Sequence, residues 1–318
     1  MFKRRGTRLL GAMLLLALAI TPAAAQTGGM PSEIAAKLAG LGPVINSPET
    51  AKLYGPLHAK EPYAGVKVTR DVKYGPHERH LLDVFVPETP AAGPRPVLVF
   101  VHGGAFVAGN RRSPPGAPFY DNIMLLAALN GAVGVNVTYR LAPQHPWPAG
   151  AEDLGAAIRW VGEHVATHGG DPARVFLMGH SAGAAHVAGY VAYRPAHGQR
   201  GLGLAGAILV SGVYDLTSMQ PGGPEKAYFG EDAARYAERS SLAGLVAAPI
   251  PLMVAYAELD PPVFQQQANL LNEALCKVDR CPRLVALAKH SHMSEVYAIN
   301  TDDTVLSGPL LGFLKAGK

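Results

Sequence analysis

Val175-Phe-Leu-Met-Gly-His-Ser-Ala-Gly-Ala-Ala185 is the stretch on which the reading of the chain turns. Val175 to Met178 is a continuous apolar run and reads as a buried strand. Gly179-His180-Ser181-Ala182-Gly183 then matches G-x-S-x-G, and the small residues from Ala182 to Ala192 have helix-forming character. Strand, tight turn and helix is the setting in which this motif lifts a serine hydroxyl clear of a sheet. Backbone passes close to backbone in such a turn, so the residues flanking the serine must lack bulk; Gly179 and Gly183 meet that need. Ser181 is therefore the candidate nucleophile. The Ala182 N–H opens a helix, where donors are unpaired and the local dipole favours negative charge.

Further apolar runs lie on either side. Val66 to Arg70, Leu81 to Val86, Pro96 to Val101 and Ala132 to Val137 read as strands before the motif. Leu204 to Val210, Pro251 to Ala257 and Leu284 to Ala288 read as strands after it. Helical spacing runs through Asn122 to Asn130, Pro148 to His168, Val263 to Lys277 and Thr304 to Lys315. Strands alternating with helices predict an α/β fold with a mostly parallel sheet and helices on both faces. The expected division is a leader at 1–25, a Pro- and Gly-punctuated N-terminal extension at 26–65, and a catalytic domain at 66–318. Within that domain, 213–248 reads as a cap-like insertion over the carboxyl ends of the strands, where open α/β sheets bind ligands.

An activated serine needs a base, an acid to orient the base, and donors for the developing oxyanion. The chain offers each just after a strand. Asp260 follows the strand Pro251 to Ala257, in Glu258-Leu259-Asp260-Pro261-Pro262. His292 follows the last strand, in Lys289-His290-Ser291-His292-Met293. The order Ser181, Asp260, His292 is that of the α/β-hydrolase arrangement. His102-Gly103-Gly104-Ala105-Phe106 follows the strand ending at Val101, and its backbone can present N–H groups, with Gly104, Ala105 and Ala182 as the expected oxyanion donors.

Taken together, His102-Gly103-Gly104, Tyr139-Arg140-Leu141-Ala142-Pro143, the Gly179 to Gly183 turn, Asp260-Pro261 and the late His292 make the chain resemble the α/β-hydrolase carboxylesterases of the hormone-sensitive-lipase-like and feruloyl-esterase-like kind, from about Leu81 to Leu314. The resemblance implies ester hydrolysis through an acyl-serine, with no metal or organic cofactor and a small-molecule ester as the partner. It also favours His292, which stands before a hydrophobic residue, over its neighbour His290. The third glycine of the usual oxyanion motif is Ala105 here. Kynurenine formamidases vary at this position, which leaves arylformamidase or amidase chemistry as an alternative. A catalytically silent binding module of the same fold is a further alternative, though such a module would be expected to have lost a member of the triad.

Asp215 is a rival acid because it too follows a strand, but Gly212-Val213-Tyr214-Asp215 reads better as a structural turn. Glu258 stands two residues before Asp260 and would point elsewhere. His102 reads as a brace for the oxyanion loop, and Asp153 with Arg140 as a structural pair. Phe106, Tyr214 and Phe229 are candidates to line the substrate pocket, with core packing an equal alternative. Gly201-Leu-Gly-Leu-Ala-Gly206 spells G-x-G-x-x-G but precedes a strand, which fails the dinucleotide context. His164 and His168 lack the glutamate of H-E-x-x-H, so no metal site is expected there.

Lys3, Arg4, Arg5 and Arg8, the apolar Leu9 to Ile20 and Ala23-Ala24-Ala25 have the layout of a secretory leader, too short in its apolar part to span a bilayer comfortably. These four cations account for the whole formal charge of +4 on the 318 residues. The remaining chain is neutral overall, so the charge balance carries no hint of nucleic acid. The expected location is the periplasm or outside the cell, with no stable membrane anchor after leader cleavage. Cys276 and Cys281 are the only two cysteines. In an exported chain they are expected to pair, closing a small loop worth roughly 2 kcal/mol.

Overall fold

The computed structural model describes Met1 and residues 29–112, 117–199 and 201–316. The leader expected at 1–25 lies outside the described residues from position 2 onward. Eight strands form one sheet: β1 (Val66–Lys73), β2 (Leu81–Pro87), β3 (Arg95–Val101), β4 (Val133–Val137), β5 (Gly170–His180), β6 (Gly206–Val210), β7 (Leu252–Leu259) and β8 (Arg283–Ser291). Their order is β1-β2-β4-β3-β5-β6-β7-β8. The pairs β1–β2 and β2–β4 are antiparallel, and every pair from β4 to β8 is parallel. Each apolar run singled out in the sequence is one of these strands.

Two short helices, α1 (Ser32–Leu41) and α2 (Ser47–Tyr54), precede the sheet. The crossovers carry α3 (Asp121–Leu129), α4 (Ala149–His164), α5 (Ala182–Ala192) and α9 (Pro262–Cys276). The β6-to-β7 segment holds three short helices, α6 (Gly223–Phe229), α7 (Tyr236–Arg239) and α8 (Leu242–Ala247). After β8 come α10 (Ser294–Tyr297) and α11 (Ser307–Ala316).

The continuous hydrophobicity of β3 has a direct cause. Val97, Val99 and Val101 enter one core with Leu154, Val161, Val187 and Leu271, while Leu98 and Phe100 enter a second core with Ile123, Leu310 and Phe313. Alternate side chains of one strand thus meet helices on opposite faces, and neither face can be polar. Leu38 and Tyr54 are fully buried in the second core, so α1 and α2 pack on the body of the molecule. Cys276 and Cys281 are joined as a disulfide at the end of α9. Among the described residues no helix is long and apolar enough to cross a membrane.

Candidate active site

Four consecutive strands of the parallel half run directly into a polar residue at one rim: β5 into Ser181, β6 into Ser211, β7 into Asp260 and β8 into His292. Ser181 has φ 56° and ψ −125°, a conformation costly for a residue with a Cβ and sustained only where its surroundings fix it. The surroundings do so. A Cβ on Gly179 would fall on the Gly183 backbone, and one on Gly183 on the Val101 and His102 carbonyl oxygens. The start of α5 therefore lies directly against the end of β3, and only glycine permits that approach. The Ser181 N–H continues the sheet ladder by donating to the Val210 carbonyl at 2.9 Å.

Asp260 leaves β7 just before Pro261 and Pro262, which cannot extend a ladder and begin α9 instead. Its carboxylate is fully buried. Oδ1 accepts from His292 Nδ1 at 2.7 Å, and Oδ2 accepts from Ser211 Oγ at 2.6 Å and from the Ala257 N–H at 2.9 Å. Three donors replace the water lost on burial. This arrangement puts the proton on Nδ1 of His292, leaving Nε2 as the acceptor. Nε2 has no hydrogen-bond partner among the described residues. The sequence leads one to expect a Ser181 Oγ bond there. In the Ser181 rotamer seen here it is not made, and such bonds commonly tighten only when substrate is bound. Both residues line one cavity of about 360 Å³, with Gly103, Gly104, Ala105, Tyr120, Met293 and Tyr297 among its walls.

The oxyanion loop is tightly wound. Gly104 (φ 128°), Ala105 (φ 50°) and Phe106 (φ 67°) all lie in the left-handed half of backbone space. A Cβ on Gly104 would fall on the Ala108 carbonyl. The loop's own bonds, from the Val107 and Ala108 N–H groups to the Gly104 carbonyl, use neither the Gly104 nor the Ala105 N–H. His102 braces the loop, its Nδ1 donating to the Gly103 carbonyl at 2.6 Å, and burial lowers its pKa to about 3.

The rival residues are occupied elsewhere. His290 lies 3.1 Å from Asp303 through Nε2 and 3.1 Å from Ser294 Oγ through Nδ1, away from Asp260. Asp215 caps a short turn through the Thr217 N–H at 2.9 Å. Glu258 accepts from the Lys289 N–H at 2.6 Å. Asp153 binds Arg140 at 2.7 Å and also His80 at 3.0 Å.

The pocket walls require a correction. Phe106 and Tyr214, offered by the sequence as substrate-lining, do not line the cavity that holds Ser181. Phe106 turns into a small aromatic cluster with Tyr228 (rings stacked at 5.0 Å) and Phe229. Tyr214 is buried in the core. The positive φ at Phe106 aims its ring inward, and the next residue, Val107, reaches the cavity instead. Ile45 and Ser47, from the start of α2 and the residues before it, supply another wall.

His180, Glu295 and Ser211 were missed as site residues. Ser211 and His180 carried a signal, since each stands at the end of an apolar strand; Glu295 carried none. His180, His292 and Glu295 form the only trio of ligand-type side chains among the described residues whose donor atoms lie within 4.8 Å of one another.

The sequence profile of the α/β-hydrolase fold matches residues 98–292. Carboxylesterase NlhH of Mycobacterium tuberculosis is 46% identical over 89 residues, 28% of this chain and 26% of that protein. Esterase LipQ of the same organism is 33% identical over 227 residues, 65% of this chain and 52% of that protein. The matched stretches thus span between about a quarter and about half of these relatives' own lengths. Among solved structures, a bacterial heroin esterase superposes with a TM-score of 0.68 at 23% identity, over 91% of this chain and 98% of that one.

Proposed function

Because the chain belongs to the α/β-hydrolase fold family, we propose that it is a serine carboxylester hydrolase acting through an acyl-serine intermediate on small, short-acyl esters. Ser181 Oγ attacks the ester carbonyl carbon while His292 Nε2 takes its proton. Asp260 holds the imidazole in the required tautomer and steadies its charge. The N–H groups of Gly104, Ala105 and Ala182 receive the oxyanion. His292 then protonates the departing alcohol, and water, deprotonated by the same nitrogen, releases the acid.

The observation that carries this reading is the 2.7 Å His292–Asp260 bond together with an uncommitted Nε2 on the cavity that Ser181 lines. The cavity volume and the exposed Ile45 and Val107 beside it support a small apolar acyl or alcohol group. In the test, Ser181→Ala is expected to reduce p-nitrophenyl butyrate turnover by about 10³-fold or more with the fold intact. Turnover at the wild-type level would sink the assignment, and preference for an aryl formamide over every ester in a substrate panel would move it to the amidase class. Export to the periplasm or beyond is part of the proposal, supported by the leader-like residues 1–25 and by the Cys276–Cys281 disulfide. Cell fractionation and N-terminal sequencing of the mature chain test it.

A further inference from the structure

Glu295 is fully buried one turn after His292, and neither carboxyl oxygen has a hydrogen-bond partner among the described residues. A buried carboxyl so placed is costly, and the proposed reaction does not use it. It faces His180 from β5, Ser211 and Tyr214 from the end of β6, Asp260 from the end of β7, and His292 on its own segment. His180 is also fully buried, and three parts of the site meet at its ring. Nε2 donates to the His292 carbonyl at 2.8 Å, across 112 residues. The rings of His180 and His292 are 4.7 Å apart. A Cβ built on Gly103 of the oxyanion loop would lie 3.4 Å from His180 Nδ1 and 3.0 Å from the Ser181 Cβ. Glu295 Oε1 sits 3.1 Å from the same Nε2, off the N–H axis.

We propose that His180 and Glu295 are a positioning pair for the hydrolytic reaction: Glu295 holds the His180 ring so that Nε2–H ties the backbone of His292 to the strand end that carries Ser181. The proposal rests on the assignment of Ser181 and His292 made above. Nucleophile and base come from strands far apart in sequence, and the Nε2-to-carbonyl bond links the two segments directly. Glu295 Oε1 packs 3.1 Å from the same nitrogen, behind that bond, and stops the ring from turning. Burial pushes the Glu295 carboxyl well above its usual range, with the Asp260 carboxylate adding to the effect and the Ser211 hydroxyl opposing it. Burial first, and then His292, hold the His180 imidazole well below its usual range. Burial thus favours the uncharged Glu295 carboxyl, while Asp260 is the carboxyl group hydrogen-bonded to His292.

The test compares His180→Ala, His180→Gln, Glu295→Ala, Glu295→Gln and the double alanine variant on p-nitrophenyl butyrate, with Tm measured for each. Both alanine variants are expected to lower kcat by about 10- to 100-fold with little change in KM, the size expected for a displaced base. The double variant should be no worse than the poorer single one, because the two side chains act as a unit. The glutamine variants keep an N–H or an acceptor at similar reach and should recover most of the loss. Glu295→Gln should leave the acid limb of the pH–rate profile in place, since burial favours the uncharged carboxyl at this position. Wild-type kcat in either alanine variant, additive losses in the double variant, or an acid limb moved to lower pH in Glu295→Gln would each overturn the pair. An active Ser181→Ala variant would instead overturn the underlying assignment, so the two failures are distinguishable.

Discussion

Glycine at position 183 is required by what lies above it, not by the turn alone. A methyl there would occupy the space of the Val101 and His102 carbonyl oxygens, both backbone atoms that cannot rotate away. Gly183→Ala is therefore expected to destabilise the fold by at least about 3 kcal/mol, measured by urea denaturation. It should also displace the Ala182 N–H. The two imidazoles near the end of β8 make a sharper pair. His290 has Nδ1 bonded to Ser294 Oγ and Nε2 3.1 Å from the Asp303 carboxylate, whereas His292 has Nδ1 on Asp260 and lines the cavity that holds Ser181. Replacing His290 with Ala removes the Ser294 partner and the ring beside the buried Asp303, which should cost about 1–3 kcal/mol of stability and spare most turnover. His292→Ala should do the reverse, abolishing turnover with a smaller change in Tm. If His290→Ala lost turnover at unchanged stability, the roles given to the two rings would have to be exchanged.

At the scale of elements, the strand ends do the organising. Parallel strands all point their carboxyl ends at one rim, so whatever polar residue follows each apolar run arrives there. β5 to β8 deliver Ser181, Ser211, Asp260 and His292 in this way, and the oxyanion loop enters from β3. The segments outside this pattern make the walls. Ile45 and Ser47 come from beside α2, and Tyr297 closes the cavity from α10. Ser47 Oγ and the Tyr297 hydroxyl are 2.8 Å apart, which joins the N-terminal helices to the segment that carries His292.

The molecule as a whole buries several imidazoles in neutral form, and this sets its response to acid. Burial lowers His102 and His186 from 6.5 to about 3, and His180 well below 6.5. Below pH 6.5 the unfolded chain binds these protons and the folded one does not. Stability is therefore present above that pH and is lost as the pH falls toward 3. Glu295 and Asp83, both raised by burial, act in the opposite sense, losing stability as the pH rises past the ordinary carboxylate range, while burial also lowers His58 and His80 and so adds to the acid sensitivity. Each of His102 and His186 costs on the order of 2–3 kcal/mol at pH 4.5, so Tm is expected to fall by on the order of 10 °C between pH 7 and 4.5. A Tm unchanged over that interval in scanning calorimetry would contradict the burial of these rings.

The sequence by itself determined the eight strands, the main helices and the strand–turn–helix around Ser181, because each is written in contiguous residues: an apolar run long enough for a strand, a helical spacing, a pair of glycines. It also carried Asp260 and His292 in the right order, since each follows its own strand directly. The tertiary structure alone decided the strand order β1-β2-β4-β3-β5-β6-β7-β8, that Phe106 and Tyr214 turn away from the cavity, and that Glu295 lies against His180. Local pattern can say that a side chain must be buried. Which neighbour it is buried against depends on chain segments brought together from far apart, and no stretch of sequence contains both.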